Sequence, residues 1–189
     1  MTRPVPKRNA GFTLVEIMVI MAILAVFASF IIPGLFSRIG DSEASSLAGT
    51  LDALRSGVLE YRADVRRYPT HLRYLSEPPS SASDLCGRTV PAAFLSQWKG
   101  PYVNRSITTA GVKIADATVV DAMSPSPATF TATTTGELLI LVQDVDSAVA
   151  RDVERHIDTT LDFTDDAIRW TNVSGGRGTL SMVLLARGC

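Results

Sequence analysis

The 189-residue sequence lacks an excess of charge of either sign, because 18 lysine and arginine residues are balanced by 19 acidic residues. This balance argues against a large basic surface for binding nucleic acid. Charged residues make up only 20% of the chain, and no internal repeat is apparent. The apolar content of 46% excludes an intrinsically disordered or collagen-like chain. The length fits one ordinary domain, or a domain with an appendage.

The apolar residues are concentrated near the N-terminus. Between Phe12 and Phe36, 20 of 25 residues are apolar, and Glu16 is the only charged side chain. A helix of this length spans about 37 Å, enough to cross a bilayer with tilt. Basic residues occur in the first 11 positions, before the run, so the positive-inside rule predicts a cytoplasmic start and an exported C-terminal part.

Two other kinds of N-terminal segment fit less well. A cleaved secretory signal has an apolar core of about 7–15 residues, whereas this run continues to Phe36. A plain membrane anchor leaves Glu16 unexplained, because a carboxylate at this depth costs about 2.5–3.5 kcal/mol on insertion scales.

Residues 7–16, which read KRNAGFTLVE, resemble the type IV prepilin signal. That signal combines a basic leader, a glycine, an aromatic residue, a glutamate four residues later and an apolar helix. The resemblance implies a subunit of a type IV pilus or of a type II secretion pseudopilus. In that family a membrane peptidase cuts after the glycine, here Gly11, and N-methylates the new first residue, here Phe12. Residues 1–11 are then the leader, and residues 12–36 the transmembrane and polymerisation helix.

Glu16 and Pro33 are the residues of this helix for which we expect roles in assembly. Cleavage creates an α-amine that stays cationic when methylated, and a buried carboxylate is tolerated beside an opposite charge. We therefore expect Glu16 of one subunit to pair with the Phe12 amine of its neighbour and set the axial register. Pro33 and Gly34 are expected to kink or locally melt the helix. Pilins that resemble this chain carry a proline at the same place.

Residues 37–67 are predicted to be the amphipathic half of the same helix. Apolar residues recur there at alternating steps of four and three, and the helix is expected to end before Pro69. The stripe consists of Leu47, Leu51, Leu54, Val58, Tyr61 and Val65.

Residues 68–189 are predicted to form a globular α+β head, with an antiparallel sheet of about four strands laid on the long helix. This arrangement is the pilin-like fold. A helix is expected over Asp144–Asp158, and Ser174–Gly178 has the composition of a hairpin turn. The strand candidates are Ile107–Ile114, Ala117–Ala122, Thr129–Thr135, Glu137–Gln143, Ala167–Val173 and Thr179–Ala186.

The start of the head resembles the major pseudopilins of type II secretion. Tyr68-Pro69-Thr70 is followed, after a loop, by the W-x-G-P-Y pattern of residues 98–102. The Asp-Pro-Trp-Gly segment that normally follows in that family is missing here. This departure puts the calcium site of those pseudopilins in doubt, so we assign no metal ligands and no cofactor.

The two cysteines, Cys86 and Cys189, could form one disulfide in an exported head. Nothing in the sequence orders either cysteine with His71 or His156 as a nucleophile and base, so we expect no enzyme. The acids Asp162, Asp165 and Asp166 lack the spacing of an EF-hand and are interpreted as solvated loop residues.

The basic cluster of Arg62, Arg66, Arg67 and Arg73 is interpreted as skirting the base of the helix, so no nucleic acid partner is expected. The predicted function is that of a structural subunit, anchored by a single pass in the bacterial inner membrane with its head in the periplasm, and later part of a filament. The implied partners are prepilin peptidase, identical or related pilin subunits, and an inner-membrane assembly platform. A minor tip subunit that binds DNA or a surface is the alternative; a membrane-tethered enzyme is a third, remote one.

Overall fold

The structure, a computed structural model, describes residues 12–79, 82–84, 87–126, 135–157 and 167–187. The chain divides into two compact units between Ile39 and Gly40. The first unit is helical throughout its described part beyond Thr13. The second unit holds the rest of that helix, a sheet and the short helices.

Helix α1 runs over Leu14–Val65. Its first turn is capped by Thr13, whose side-chain oxygen accepts a hydrogen bond from the backbone N–H of Glu16 at 3.2 Å. The helical assignment continues through Pro33 and Gly34, so the local melting predicted there is not found. A proline removes only one backbone hydrogen-bond donor, and the other backbone hydrogen bonds keep the chain helical on both sides of it.

Within the second unit, α1 buries one face. The six apolar residues predicted as its stripe are each no more than 2% exposed: Leu47, Leu51, Leu54, Val58, Tyr61 and Val65. The stripe is therefore confirmed as the helical contribution to the core. The helix ends at Val65 because Arg66 takes a left-handed conformation, with φ of 57°, and this termination lies before Pro69 as predicted.

Within the residues that the structure describes, the sheet has six antiparallel strands, against about four predicted. The order across it is β1-β2-β4-β6-β5, and β3 pairs with β4 beside that path. Three of the six strands have only three residues each, which explains the difference in number. The strands are β1 Val112–Ile114, β2 Ala117–Val119, β3 Ser124–Ser126, β4 Thr135–Asp146, β5 Ile168–Ser174 and β6 Arg177–Arg187.

The two long strands supply the centre of the sheet's core. Alternate residues of β4 and β6 point to one face, as the two-residue period of a strand requires. They are fully or almost fully buried and join the stripe of α1 in one hydrophobic cluster. These residues are Leu138, Ile140, Val142, Leu180, Met182 and Leu184. The α+β fold with a helix packed on an antiparallel sheet is thus confirmed.

The predicted hairpin joins β5 and β6. Ser174 pairs with Arg177, which leaves a two-residue loop of Gly175 and Gly176. Both glycines have positive φ, 59° and 80°, the combination that a type I′ turn needs. The turn was recognisable because side chains other than glycine, asparagine and aspartate rarely adopt this pair of conformations.

Several predicted boundaries need correction. Helix α3, Ser147–Ile157, begins at Ser147 and not at the predicted Asp144, because β4 continues to Asp146. The Asp146 carboxylate then caps the helix by accepting from the N–H of Ala148 at 2.8 Å. The predicted last residue, Asp158, lies outside the described residues. The predicted strand at Ile107–Ile114 shrinks to β1, since residues 108–111 form a turn. The strand candidate Ala117–Ala122 ends at Val119. Most of the candidate Thr129–Thr135 lies outside the residues that the structure describes.

Two shorter elements connect α1 to the sheet. A turn of 3₁₀ helix covers Leu72–Leu75. Helix α2 covers Ala92–Leu95 and leads into the loop that contains Trp98.

Candidate functional site

The first candidate site is the apolar N-terminal part of α1. The segment Leu14–Ile31 is long and apolar enough to cross a membrane, and none of it is buried against other described residues. Phe12 and Phe30 are 77% and 78% exposed. So large an uncovered apolar surface is incompatible with water, and it requires a lipid or protein environment.

The cap at Thr13 defines where the helix begins relative to the predicted cleavage site. Phe12 and Thr13 are outside the helix, and Gly11 lies outside the described residues. Thr13 and Glu16 have the S/T-x-x-E spacing of a capping box, so the sequence itself carries a signal for this helix start. Phe12, the predicted new N-terminus, therefore lies before the first residue of α1.

Glu16 lies in the first turn of α1 and is exposed. A carboxylate there is favoured by the positive end of the helix dipole. Pro33 lies within the helical assignment, seventeen positions further on. The structure contains one copy of the chain, so the assembly roles of both residues stay predictions.

The predicted disulfide falls outside the description, because neither Cys86 nor Cys189 belongs to the described residues. The residues around Cys86 are nevertheless anchored. The buried carboxylate of Asp84 accepts hydrogen bonds from the backbone and side chain of Arg88, both at 2.9 Å, and lies 3.9 Å from Arg67. Asp84 therefore lies near Arg67, just beyond the end of α1.

The second candidate site is the loop with the W-x-G-P-Y pattern, which docks onto the end of α1. The Asp64 carboxylate accepts hydrogen bonds from the ammonium of Lys99 at 2.9 Å and from the hydroxyl of Tyr102 at 3.0 Å. The bond from Lys99 holds the pKa of Asp64 below its usual value. The Trp98 indole N–H donates to the Tyr74 carbonyl at 2.9 Å.

Aromatic rings complete this docking. Tyr102 meets both Tyr61 of α1 and Trp98 edge-to-face, with ring centroids 5.9 Å and 5.7 Å apart. Burial raises the pKa of Tyr61 far above its ordinary value, so its hydroxyl stays neutral. The pattern that resembles the pseudopilins is therefore a structural clamp between the loop and α1.

The basic cluster predicted from the sequence is divided in the structure. Arg73 forms an ion pair with the buried carboxylate of Asp121, and Arg67 lies near Asp84. Arg62 stacks over the ring of Tyr68, with its guanidinium carbon 4.5 Å from the centroid. Two of the four arginines are thus engaged by buried acids and do not form a continuous basic surface.

No arrangement of catalytic groups is found among the described residues. The His71 ring lies 3.1 Å from the Thr70 hydroxyl, and burial followed by the nearby Arg73 lowers its pKa. His156 contacts the Asp152 carbonyl of its own helix. Within the described ranges, no three histidine, cysteine or acidic side chains converge as metal ligands. Asp162, Asp165 and Asp166 lie outside those ranges.

Comparison with known proteins finds similarity over a minor part of this chain. A family model described as "Prokaryotic N-terminal methylation motif" matches residues 6–32, the segment that contains Gly11, Phe12 and Glu16. The N-terminal segment is therefore similar to proteins that carry this methylation motif. The similarity agrees with the uncovered apolar helix that follows the motif.

Curated relatives point to one branch of this family. The chain is 39% identical over 64 residues to "Type II secretion system core protein G" of Klebsiella pneumoniae, 34% of this chain and 46% of the relative. It is 34% identical to the Aeromonas hydrophila protein of that name, and 31% identical to the one from Pseudomonas aeruginosa, each over 34% of this chain and 45% of the relative. The chain thus matches less than half the length of these relatives. No solved structure matches the chain.

Proposed function

We propose that this chain is a structural, non-enzymatic subunit of a type II secretion pseudopilus. It is cleaved between Gly11 and Phe12, N-methylated on Phe12, and polymerised through residues 12–36. The observation that carries the proposal is the methylation motif over residues 6–32, together with the apolar helical segment Leu14–Ile31, none of which is buried against other described residues. A filament of packed helices would cover that surface, as the membrane does before assembly.

The pseudopilus is favoured over a type IV pilus by the relatives, because those cited above carry the name of a type II secretion core protein. The W-x-G-P-Y clamp on Asp64 also supports this branch, since the pattern resembles that of the pseudopilins. The missing Asp-Pro-Trp-Gly segment does not affect the polymerisation helix on which the proposal rests.

Processing is supported by the position of the helix start. The peptidase must reach the peptide bond after Gly11, and the helix begins only at Leu14. A basic leader keeps this bond at the cytoplasmic face, and the head then lies in the periplasm. We propose prepilin peptidase, an inner-membrane assembly platform and other pilin subunits as the partners of these steps.

Glu16 supplies the polar contact of assembly in this proposal. Its carboxylate pairs with the methylated amine of Phe12 in the neighbouring subunit as the helices leave the lipid. Burial of the apolar side chains supplies most of the free energy, whereas the ion pair selects the axial register. The bend expected at Pro33 lets the packed helices adjust to one another.

The test compares Glu16→Ala with Ser29→Ala in cells that contain a type II secretion assembly system. Ser29 is an exposed polar residue on the same helix, and its hydroxyl donates to its own helix at 2.7 Å, so it serves as the matched control. We expect both variants to be cleaved, Ser29→Ala to form filaments, and Glu16→Ala to form none. Normal filaments from Glu16→Ala would remove the register role.

A processing variant separates cleavage from assembly. Gly11→Leu blocks close approach of the peptidase to the backbone, so we expect uncleaved chain in the membrane and no filaments. Filaments built from uncleaved Gly11→Leu chain would contradict the proposed order of processing and polymerisation.

A further inference from the structure

The 3₁₀ turn Leu72–Leu75 connects the sheet side of the head to the loop that is clamped on α1. On one side, the start of the turn is bound to residues 121–123, which lie between β2 and β3. On the other side, the Leu75 carbonyl accepts a hydrogen bond from the backbone N–H of Tyr102 at 2.7 Å, in addition to the bond from Trp98 to the turn described above. A change in the position of the turn therefore reaches both the sheet and the clamp.

Hydrogen bonds and an ion pair hold residues 70–73 to residues 121–123, and we call this set of contacts the joint. The backbone N–H of Leu72 donates to the Asp121 carbonyl at 2.7 Å. The Asp121 carboxylate accepts from the backbone N–H of Arg73 at 2.8 Å and also pairs with the Arg73 guanidinium. Because Asp121 is only 4% exposed, this ion pair is shielded from water, and the joint depends on the balance of charge around it.

His71 lies inside the joint. It is half-buried and forms an isolated antiparallel bridge with Ala122. Its ring meets the Tyr74 ring edge-to-face, with ring centroids 5.5 Å apart. Among the described residues, the charged groups that act on the ring are Arg73 of the turn and Asp121 opposite it. A titratable side chain is therefore placed beside a buried ion pair whose two charges already balance.

We propose that His71 makes the joint acid-sensitive, so that protonation of its ring loosens the 3₁₀ turn from residues 121–123. A protonated ring places a second positive charge beside Arg73, whereas Asp121 supplies a single negative charge that Arg73 already takes. Two cations that share one carboxylate at a half-buried position repel each other and lose hydration. Histidine suits this role because it is the side chain whose charge ordinarily changes between about pH 5 and 8. The proposal concerns the head alone and does not depend on the filament proposed above.

The direction of the effect follows from the surroundings of the ring. Burial, followed by the charge of Arg73, lowers the pKa of His71 below its ordinary value of about 6.5, and the charge of Asp121 only partly opposes them. The unfolded chain then binds a proton at a higher pH than the folded chain does. The joint is therefore at full stability above about pH 6.5, and it weakens as the pH falls from there through the lower pKa of the folded state. Carboxylates titrate near pH 4, so their effect on stability is separate.

The first test follows the ring protons of both histidines by NMR during a pH titration of the detergent-solubilised full chain. His156→Gln assigns the signals, since the chain contains two histidines. We expect the pKa of His71 to lie below its ordinary value in the wild type, to rise in Arg73→Met and to fall in Asp121→Asn. The two variants shift it in opposite directions because one removes the neighbouring cation and the other the neighbouring anion. An unshifted or raised pKa of His71 in the wild type overturns the proposal.

The second test measures whether the joint opens. Amide hydrogen exchange, corrected for the intrinsic effect of pH, gives the protection of the Leu72 and Arg73 N–H groups at about pH 7.5 and about pH 5.5, on either side of the ordinary histidine pKa. The Val183 N–H, which donates to the Ala167 carbonyl at 2.7 Å beside β5, is the internal reference. We expect the wild type to lose protection at the joint relative to this reference at the lower pH. His71→Gln is expected to keep it, because its side chain is always neutral.

The comparison of the wild type with His71→Gln is decisive even if Arg73→Met or Asp121→Asn fails to fold. Equal loss of protection in the wild type and in His71→Gln, or no loss in either, overturns the proposal. His156→Gln is the matched control and is expected to behave as the wild type, because His156 lies on α3 and contacts the Asp152 carbonyl of its own helix. All measurements use the unassembled chain, so the fate of this proposal and that of the filament are decided separately.

Discussion

Tyr102 donates its hydroxyl hydrogen to the carboxylate of Asp64 at 3.0 Å, and this bond joins the loop after α2 to the end of α1. The two residues are 38 positions apart. The bond holds the head loop against the last part of the buried face of α1, where the rings of Tyr61 and Tyr102 meet edge-to-face. The clamp thus couples the stability of the head to the last turns of the long helix.

Removing this hydroxyl tests the clamp. Tyr102→Phe keeps the ring contacts but loses two hydrogen bonds, the one donated to Asp64 and the one accepted from the backbone N–H of Lys99 at 3.0 Å. We therefore expect a loss of about 1–2 kcal/mol in the free energy of unfolding. Lys99→Met, which removes an ion pair from a side chain that is 76% exposed, is expected to cost less. Denaturant unfolding of the detergent-solubilised chain measures both. A larger loss in Lys99→Met than in Tyr102→Phe would contradict the dominant role of the hydroxyl.

Acid pH is expected to weaken the head. Hydrogen bonds from Lys99 and Arg169 lower the pKa of Asp64 and of Glu137, respectively. A carboxylate whose pKa is lowered on folding stabilises the fold above its unfolded pKa, and this contribution disappears as the pH falls through the folded value. The melting temperature should therefore fall as the pH is lowered below about 4. In Asp64→Asn and Glu137→Gln this part of the pH dependence should be smaller, and an unchanged pH profile would contradict the assignment.

The buried stripe of α1 is tested by two leucines of the same helix. Leu51 is fully buried and Leu59 is 49% exposed. Leu51→Ala is expected to cost about 2–5 kcal/mol in the free energy of unfolding, because it removes buried methyl groups and leaves a cavity. Leu59→Ala should change it by no more than about 0.5 kcal/mol. Equal losses in the two variants would show that the assigned face is wrong.

The predicted disulfide between Cys86 and Cys189 rests on the sequence alone, because both residues lie outside the described ranges. Cys86 and Cys189 enclose a loop of about 100 residues, and closing such a loop is worth on the order of 4–5 kcal/mol in the chain-entropy model. We expect the exported chain to contain no reactive thiol and to melt at a lower temperature after reduction. Two reactive thiols in the exported chain would refute the bond.

The features that could be predicted from the sequence are those marked by a regular periodicity or by a specific motif. The stripe from Leu47 to Val65 repeats often enough to define one helical face, and Gly175-Gly176 is typical of one type of turn. Strands β1, β2 and β3 were shortened or missed because three residues carry too little periodicity. The pairing of Asp64 with Tyr102, and of Arg73 with Asp121, was not predictable because each joins residues brought together only by the tertiary fold.

The candidate site divides in the same way. Gly11, Phe12 and Glu16 belong to a contiguous motif, so their roles could be predicted without a structure, and the matching family model covers the three positions. The capping role of Thr13 was readable from its spacing to Glu16. The clamp around Asp64 needed the structure, because α1 supplies the acid and a distant loop supplies its donors.

Mass spectrometry of the N-terminal peptide of chain recovered from sheared filaments tests the central claim most directly. The account predicts that the peptide begins at Phe12, carries one methyl group on its α-amine and lacks residues 1–11. Filaments that contain the chain with its leader intact, or a cleaved chain found only in the membrane of cells that assemble filaments, would contradict the claim.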